Sequence, residues 1–227
     1  MIDTFTIEPM PQPIDAAILA RLAKAEPATI GHYRHDGFMD PGIRALVPDR
    51  RIAGTAVTLA IPGPDSALLH HAMNLVRPGD VLVIDRCGDA RHACIGGVLA
   101  LVARLSGLAG VVVDGPVTDI GEIRAQGVPM WSRGLSPITT KLLALGGRLN
   151  VPVACGGVAV RPGDAILAAE NGVLVLGAAE AAAIADVAIA DQEDEVEFNA
   201  QLTRGAKLGE LSGATAKIQA ALARRKG

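Results

Sequence analysis

Aromatic side chains are nearly missing from this sequence: it has three Phe, one Trp and one Tyr in 227 residues. No basic stripe interleaved with aromatics exists to hold a nucleic acid, and the formal net charge is −3. Binding to nucleic acid in general needs a strong positive field, so that class of partner is excluded. The run Arg224-Arg225-Lys226 reads as a solvated tail. Cysteine is scarce as well. Cys87, Cys94 and Cys155 show no C-x-x-C spacing, which excludes a zinc ribbon and a disulfide framework and suits a reducing compartment. No apolar run approaches the roughly 18–20 residues that cross a bilayer, so no membrane role is expected. The opening MIDTFTIEPMPQP lacks a basic stretch followed by an apolar one, and a cytoplasmic protein is the expectation. The G-x-G-x-x-G, P-loop and G-x-S-x-G patterns are missing too, which argues against dinucleotide binding, P-loop phosphate binding and nucleophile-elbow hydrolysis.

What is present is small and aliphatic. Half the residues are apolar, only a fifth are charged, and 26 are Gly. Such material packs sheets tightly and favours subunit contacts. The length suits one domain, 1–227, with a core over 54–177, an N-terminal helix and loop over 1–53, and a C-terminal helical segment over 178–227. Pro13 followed by Ile14, Ile18 and Leu22 predicts a short first helix, and residues 27–50 predict a long connection with one helical turn. From Gly54 onward, GTAVTLA, VLVID, GVVVD, VPMWS, VPVACGG, AILA and VLVLG predict strands. Helices are expected after Asp65-Ser66, from Val98 through Leu101, Val102 and Leu105, after Ser136-Pro137, and from about Ala178 to Leu202. This β-α-β rhythm runs into consecutive strands, which predicts an α/β fold with a mixed sheet. Arg77-Pro78-Gly79-Asp80 and Arg161-Pro162-Gly163-Asp164 read as matching structural turns.

The stretch from Asp85 to Glu122 carries the candidate chemistry. Gly96-Gly97 opens the helix that begins near Val98, and a helix N-terminus offers unpartnered N–H groups to an anion. The same glycine pair also suits close helix–sheet packing. Asp119 follows the strand ending in Asp114 and Gly115, at the carboxyl end where α/β sheets gather ligands. Its D-x-x-E spacing to Glu122 equally fits a capping box. His92 precedes the glycine pair by four residues and is the histidine best placed to reach a ligand. His32 and His35 have nothing nearby to complete a metal set, and His70-His71 face different directions on a helix.

Together, GTAVTL at Gly54–Leu59, RPGDVLVID at Arg77–Asp85, Gly96-Gly97, LAGVVVDG at Leu108–Gly115, Asp119, VPMWSRG and VAVRPGDAILAAENGVLVL resemble the RraA-like family. The resemblance implies a swivelling β/β/α sandwich in one domain, assembled as a homotrimer or hexamer with sites between subunits. It implies a lyase dependent on Mg²⁺ or Mn²⁺ that breaks a C–C bond of a small 2-oxo acid, by retro-aldol cleavage or oxaloacetate decarboxylation. A second branch of the family has no aldolase activity and inhibits the endoribonuclease RNase E. By the same resemblance Asp119 matches the metal ligand, and Gly96, Gly97 and Val98 match a backbone cradle for substrate. Thr118 stands where the enzymes carry a substrate-binding Arg, and Gly97 where they carry an acidic residue. His92 could supply a missing group.

Overall fold

The computed structural model describes residues 4–224. The chain begins with β1 (Phe5–Ile7), α1 (Ala16–Leu22), α2 (Pro27–Ile30) and β2 (Arg44–Ala45). An alternating part follows: β3 (Ile52–Ala60), α3 (Ala67–Ala72), β4 (Asp80–Asp85), α4 (Gly97–Leu105), β5 (Gly110–Val117), α5 (Ile120–Gln126) and β6 (Met130–Leu135). Next come β7 (Gly147–Leu149), β8 (Val153–Cys155), β9 (Val158–Val160), β10 (Ala165–Ala169) and β11 (Gly172–Leu176). Three helices end the chain: α6 (Ala181–Thr203), α7 (Leu208–Leu211) and α8 (Ala214–Arg224). Every strand expected from a β-branched run is present, with ends shifted by a few residues. Arg225 and Lys226 of the basic run lie outside the described residues.

The nine-stranded sheet is mixed, as expected. β3, β4, β5 and β6 lie side by side and parallel, because α3, α4 and α5 supply the crossovers that parallel neighbours require. β7 and β10 join β3 antiparallel, and β11 pairs with β10 as a hairpin. Alternation along the strands divides the core between two faces. Leu82, Ile84, Val111 and Val113 meet Leu99, Ala100, Ala103 and Ile123 on the helical side. Val81, Val83, Val112 and Trp131 meet Val153, Cys155 and Val160 of the small β8–β9 sheet on the other. The single Trp is fully buried, and its Nε1–H donates to the Ala169 carbonyl at 2.8 Å, so the one large aromatic of the core has its polar atom satisfied. A third cluster packs Leu22, Ile30, Ala181, Ala185 and Ala188 against β10 and β11. No helix of the described residues is long and apolar enough to cross a membrane.

Three local expectations need correction. The apolar spacing on α4 picks out the wrong face: Val98 and Leu105 are 73% and 69% exposed, while Leu99, Ala100 and Ala103 face the sheet. Small side chains at 100 and 103 let the helix approach closely. Ser136-Pro137 opens no helix. The Ser136 Oγ caps a turn at the Ile138 N–H and donates to the Arg91 carbonyl, and residues 136–146 form no helix. Helix α1 starts later than Pro13 suggests, because the Asp15 carboxylate accepts from Ala17 and Ile18 and sets the N-cap. The two Pro-Gly-Asp turns match as expected: Asp80 and Asp164 each accept from the backbone N–H three residues earlier, at 2.8 Å.

Candidate functional site

Beyond the carboxyl ends of β4 and β5 the chain turns twice, and the two turns meet. The Thr118 N–H donates to the Ile95 carbonyl at 2.9 Å, which joins the end of β5 to the loop entering α4. Asp119 then takes a left-handed backbone, φ 53° and ψ 44°. Among side-chained residues Asp tolerates this conformation better than most. The turn aims its carboxylate away from its own helix. Oδ2 accepts from the Gly97 N–H at 3.1 Å, at the positive end of α4, and Oδ1 lies 3.3 Å from the Thr118 hydroxyl. The side chain caps nothing on α5, where the N–H groups of Glu122 and Ile123 bond to the Asp119 carbonyl instead. The capping-box expectation for Asp119 and Glu122 is therefore not met.

The two glycines have separate reasons to be glycine. A Cβ on Gly96 would fall on the Asp119 carboxylate and within 3.0 Å of Thr118. On Gly97 it would fall on the Glu122 carboxylate, with Glu122 Cβ only 2.9 Å away. The cradle expected from Gly96, Gly97 and Val98 is also narrower than the sequence implies. The Gly97 N–H is occupied by Asp119, which leaves those of Val98 and Leu99 without a protein acceptor among the described residues.

These groups face a cleft of about 290 Å³. Gly96, Gly97, Val98, Thr118 and Asp119 all line it. The lining also draws on Ser66 and His70 and on Thr139, Thr140, Lys141 and Leu142, which come from distant parts of the chain. Sequence reasoning set His70 aside and missed the others, because nothing local marks them and only tertiary contacts bring them in. Thr140 bonds to the Ala93 carbonyl at 3.1 Å, and the Lys141 N–H and carbonyl bond to Pro64 and Ser66 at 2.7 and 2.9 Å. Buried Asp65 then accepts from Ala67, Leu143 and Leu145, tying the loop to the start of α3. Burial pushes the Asp65 carboxyl up, but backbone donors from Ala67, Leu143, Leu145 and Ala144 outweigh it and hold the pKa below the usual range.

His92 does not line the cleft. Its Nδ1 sits 2.8 Å from Asp89 Oδ2, and Asp89 in turn meets the fully buried Arg86 at 3.2 Å. That network braces the loop carrying Ala93 and Cys94 to the cleft. Cys94 lines the cleft, but burial pushes its thiol up to about 11, which removes it as a nucleophile near neutral pH. Among the described residues no three His, Cys, Asp or Glu side chains gather to cage a metal. Among the cleft-lining residues the one carboxylate is that of Asp119, a hard oxygen donor. Alone, it suits a divalent cation that keeps most of its shell for water and substrate.

The RraA-like family model, described as Aldolase/RraA, matches residues 16–175. A protein of Halalkalibacterium halodurans named "Putative 4-hydroxy-4-methyl-2-oxoglutarate aldolase" is 37% identical over 59% of this chain. The chain spans 63% of that relative's length, less than two thirds. A protein of Deinococcus radiodurans with the same name is 36% identical over 61% of this chain and 85% of its own. Among solved structures, RraAS2 of Streptomyces coelicolor, described as an unusual member of the RNase ES inhibitor RraA family, superimposes with a TM-score of 0.72 at 32% identity. That match covers 83% of this chain and 98% of RraAS2. The RNA-processing inhibitor RraA from Thermus thermophilis gives a TM-score of 0.61 at 32% identity, covering 67% and 93%.

Proposed function

Since the chain belongs to the RraA-like family of aldolases and RraA proteins, we propose that it is a divalent-cation-dependent lyase of small 2-oxo acids. The reaction is retro-aldol cleavage of a 4-hydroxy-2-oxo dicarboxylate, decarboxylation of oxaloacetate, or both. One observation supports this reading most. Asp119 adopts a left-handed backbone and leaves its own helix uncapped, so that its carboxylate stands in the cleft at the N-terminus of α4.

In this reading Asp119 holds Mg²⁺ or Mn²⁺, and the Gly97 N–H fixes the carboxylate that does so. The bound cation would supply positive charge opposite the enolate oxygen that develops as the C–C bond breaks. The free N–H groups of Val98 and Leu99 receive the substrate carboxylate, and the Thr118 hydroxyl offers one neutral donor where an Arg would offer a fork. No role falls to His92 within one chain, since its ring lies outside the cleft lining. The test is a screen of oxaloacetate and 4-hydroxy-2-oxo acids with Mg²⁺ or Mn²⁺, beside a thermal-shift series in Mn²⁺. Turnover is expected, with a cation-dependent rise in Tm that is lost in Asp119→Asn. A chain inert to every substrate and indifferent to cation would sink the proposal.

A second reading is a binding protein of the ribonuclease-inhibitor kind. It is favoured by the likeness to RraAS2 and to the Thermus inhibitor, and by the exposed apolar face of α4. Inertness in the screen together with binding to an RNase E-type enzyme would select it.

A further inference from the structure

We propose that Arg86 is the positioning residue of the cleft: one buried guanidinium holds both of its walls, and residue 115 is glycine to admit it. Its effect on turnover rests on the lyase reading, whereas the fastening itself does not. Arg86 follows β4 directly and is fully buried. A guanidinium taken out of water persists only where acceptors surround it, and here they come from two loops. Nη1 donates to the Ile61 carbonyl at 3.2 Å and Nη2 to the Gly63 carbonyl at 2.5 Å, in the loop leaving β3. Nη2 also donates to the Asp89 carboxylate at 3.2 Å and to the His92 carbonyl at 3.5 Å, in the loop leaving β4. Nε has no acceptor among the described residues, so the attachment lies entirely in the two terminal nitrogens. The stem of the side chain crosses β5 near its end. A Cβ on Gly115 would stand 2.6 Å from Arg86 Cγ and 3.1 Å from the Asp89 carbonyl oxygen.

What the two loops carry onward is the cleft. Beyond Gly63, the first loop presents Ser66 to it, and the Pro64 carbonyl accepts from the Lys141 N–H at 2.7 Å. Beyond His92, the second loop presents Ala93, Cys94 and Gly96. Ala93 is bonded on both sides to the segment between β6 and β7. Its N–H donates to the Ile138 carbonyl at 2.8 Å, and its carbonyl accepts from the Thr140 N–H at 3.1 Å. The Ile95 carbonyl holds the Thr118 N–H, so the turn that aims Asp119 hangs from the same loop. Arg86 itself does not line the cleft. It acts on the site only through the backbone it fastens, and its removal should loosen both walls at once.

The full chain is compared with Arg86→Ala at a temperature where both are folded. Hydrogen exchange is read at Ser66 and Lys141, which report on the first loop, and at Ala93 and Thr140, which report on the second. All four N–H groups are expected to exchange about tenfold faster, the effect of one lost hydrogen bond on a local opening. Exchange at Val83 and Val112, in the middle of the sheet, should stay as it was. Guanidinium ion at millimolar concentration fits the space left by the side chain and should slow both walls again, where the same concentration of KCl does not. With oxaloacetate and Mg²⁺, kcat should fall about 10²-fold, the effect of misplacing reacting groups by roughly 1 Å, and recover with guanidinium. A residue that only stabilised the fold would lower Tm and leave kcat intact. Should Arg86→Ala not fold, Arg86→Lys keeps the charge but loses the planar fork, and the same exchange pattern is read there. Quickening confined to one wall, or spread evenly through the sheet, overturns the proposal, as does an unchanged kcat in an active chain. A wild-type chain without turnover overturns the lyase reading, and the exchange pattern still decides the fastening.

Discussion

At Asp119 a single residue carries an unfavourable backbone and a free charge, and the two can be separated. The left-handed conformation costs about 1 kcal/mol or more in a side-chained residue, and Asn bears it as readily as Asp. Asp119→Asn therefore removes charge while keeping the turn, and stability should stay within about 0.5 kcal/mol. Calorimetry is expected to show Mg²⁺ or Mn²⁺ binding in the wild type and none in this variant, and equal heats in both would return Asp119 to a structural role. Gly97→Ala probes the neighbouring residue. From sequence, one added methyl looks nearly silent for the fold. In the structure it lands on the Glu122 side chain, which must move outward. Because Glu122 Cβ, and not only its mobile carboxylate, lies 2.9 Å from the added methyl, the cost should be roughly 1–3 kcal/mol, while turnover and affinity for oxalate, a planar mimic of the pyruvate enolate, both fall. Oxalate binding unaffected by this change would place the ligand elsewhere.

Among the elements, the segment between β6 and β7 has no helix or strand over its middle, yet it is fixed at several points. Asp65 is its principal fastening, with three backbone donors at 2.6–3.0 Å. Asp65→Ala leaves those N–H groups to compete for water and should cost roughly 2 kcal/mol. That corresponds to a fall in Tm of about 4–8 °C for a chain of this size. Hydrogen exchange should quicken first at Leu143 and Leu145, and unchanged rates there would contradict the anchoring. The same residue gives stability a pH dependence. Its folded pKa lies below the ordinary 3.8, so its contribution is complete above that value and disappears as the pH falls through the lower, folded pKa. Acid unfolding of Asp65→Ala should accordingly be shallower than that of the wild type below pH 3.8.

Over the whole molecule, several exposed apolar side chains stand on α4 and on the loop that lines the cleft. Val98 and Leu105 on α4 are 73% and 69% exposed, and Leu142 and Leu145 on the loop are 64% and 56% exposed. Val98 and Leu142 both line the cleft, so this surface borders the candidate site. Exposed apolar side chains beside a cleft suit packing against another chain. A homotrimer or hexamer is the proposed assembly, with the clefts near subunit boundaries. Light scattering at micromolar concentration should give three or six times the chain mass, and Leu105→Asp should shift the population toward smaller species. A wild-type monomer would refute the assembly.

By itself the sequence determined seven of the strands, β3 to β6, β8, β10 and β11, together with the mixed sheet, the crossover helices α3 and α4, and the family. Each of these is written in short-range pattern: β-branched runs bounded by Gly, Pro and Asp, helical periods between them, and motifs in a recognisable order. It also identified Asp119, Thr118 and the Gly96-Gly97 pair, because these lie within one stretch at the end of two strands. Only the tertiary structure decided which face of α4 is buried, since spacing defines a stripe but not what stands opposite it. Only the fold showed that Asp119 leaves its own helix for the next, that Glu122 fills the space over Gly97, and that His70 and Lys141 line the cleft while His92 does not. These facts depend on backbone direction at one residue and on contacts between segments up to 80 positions apart, and no local pattern encodes either.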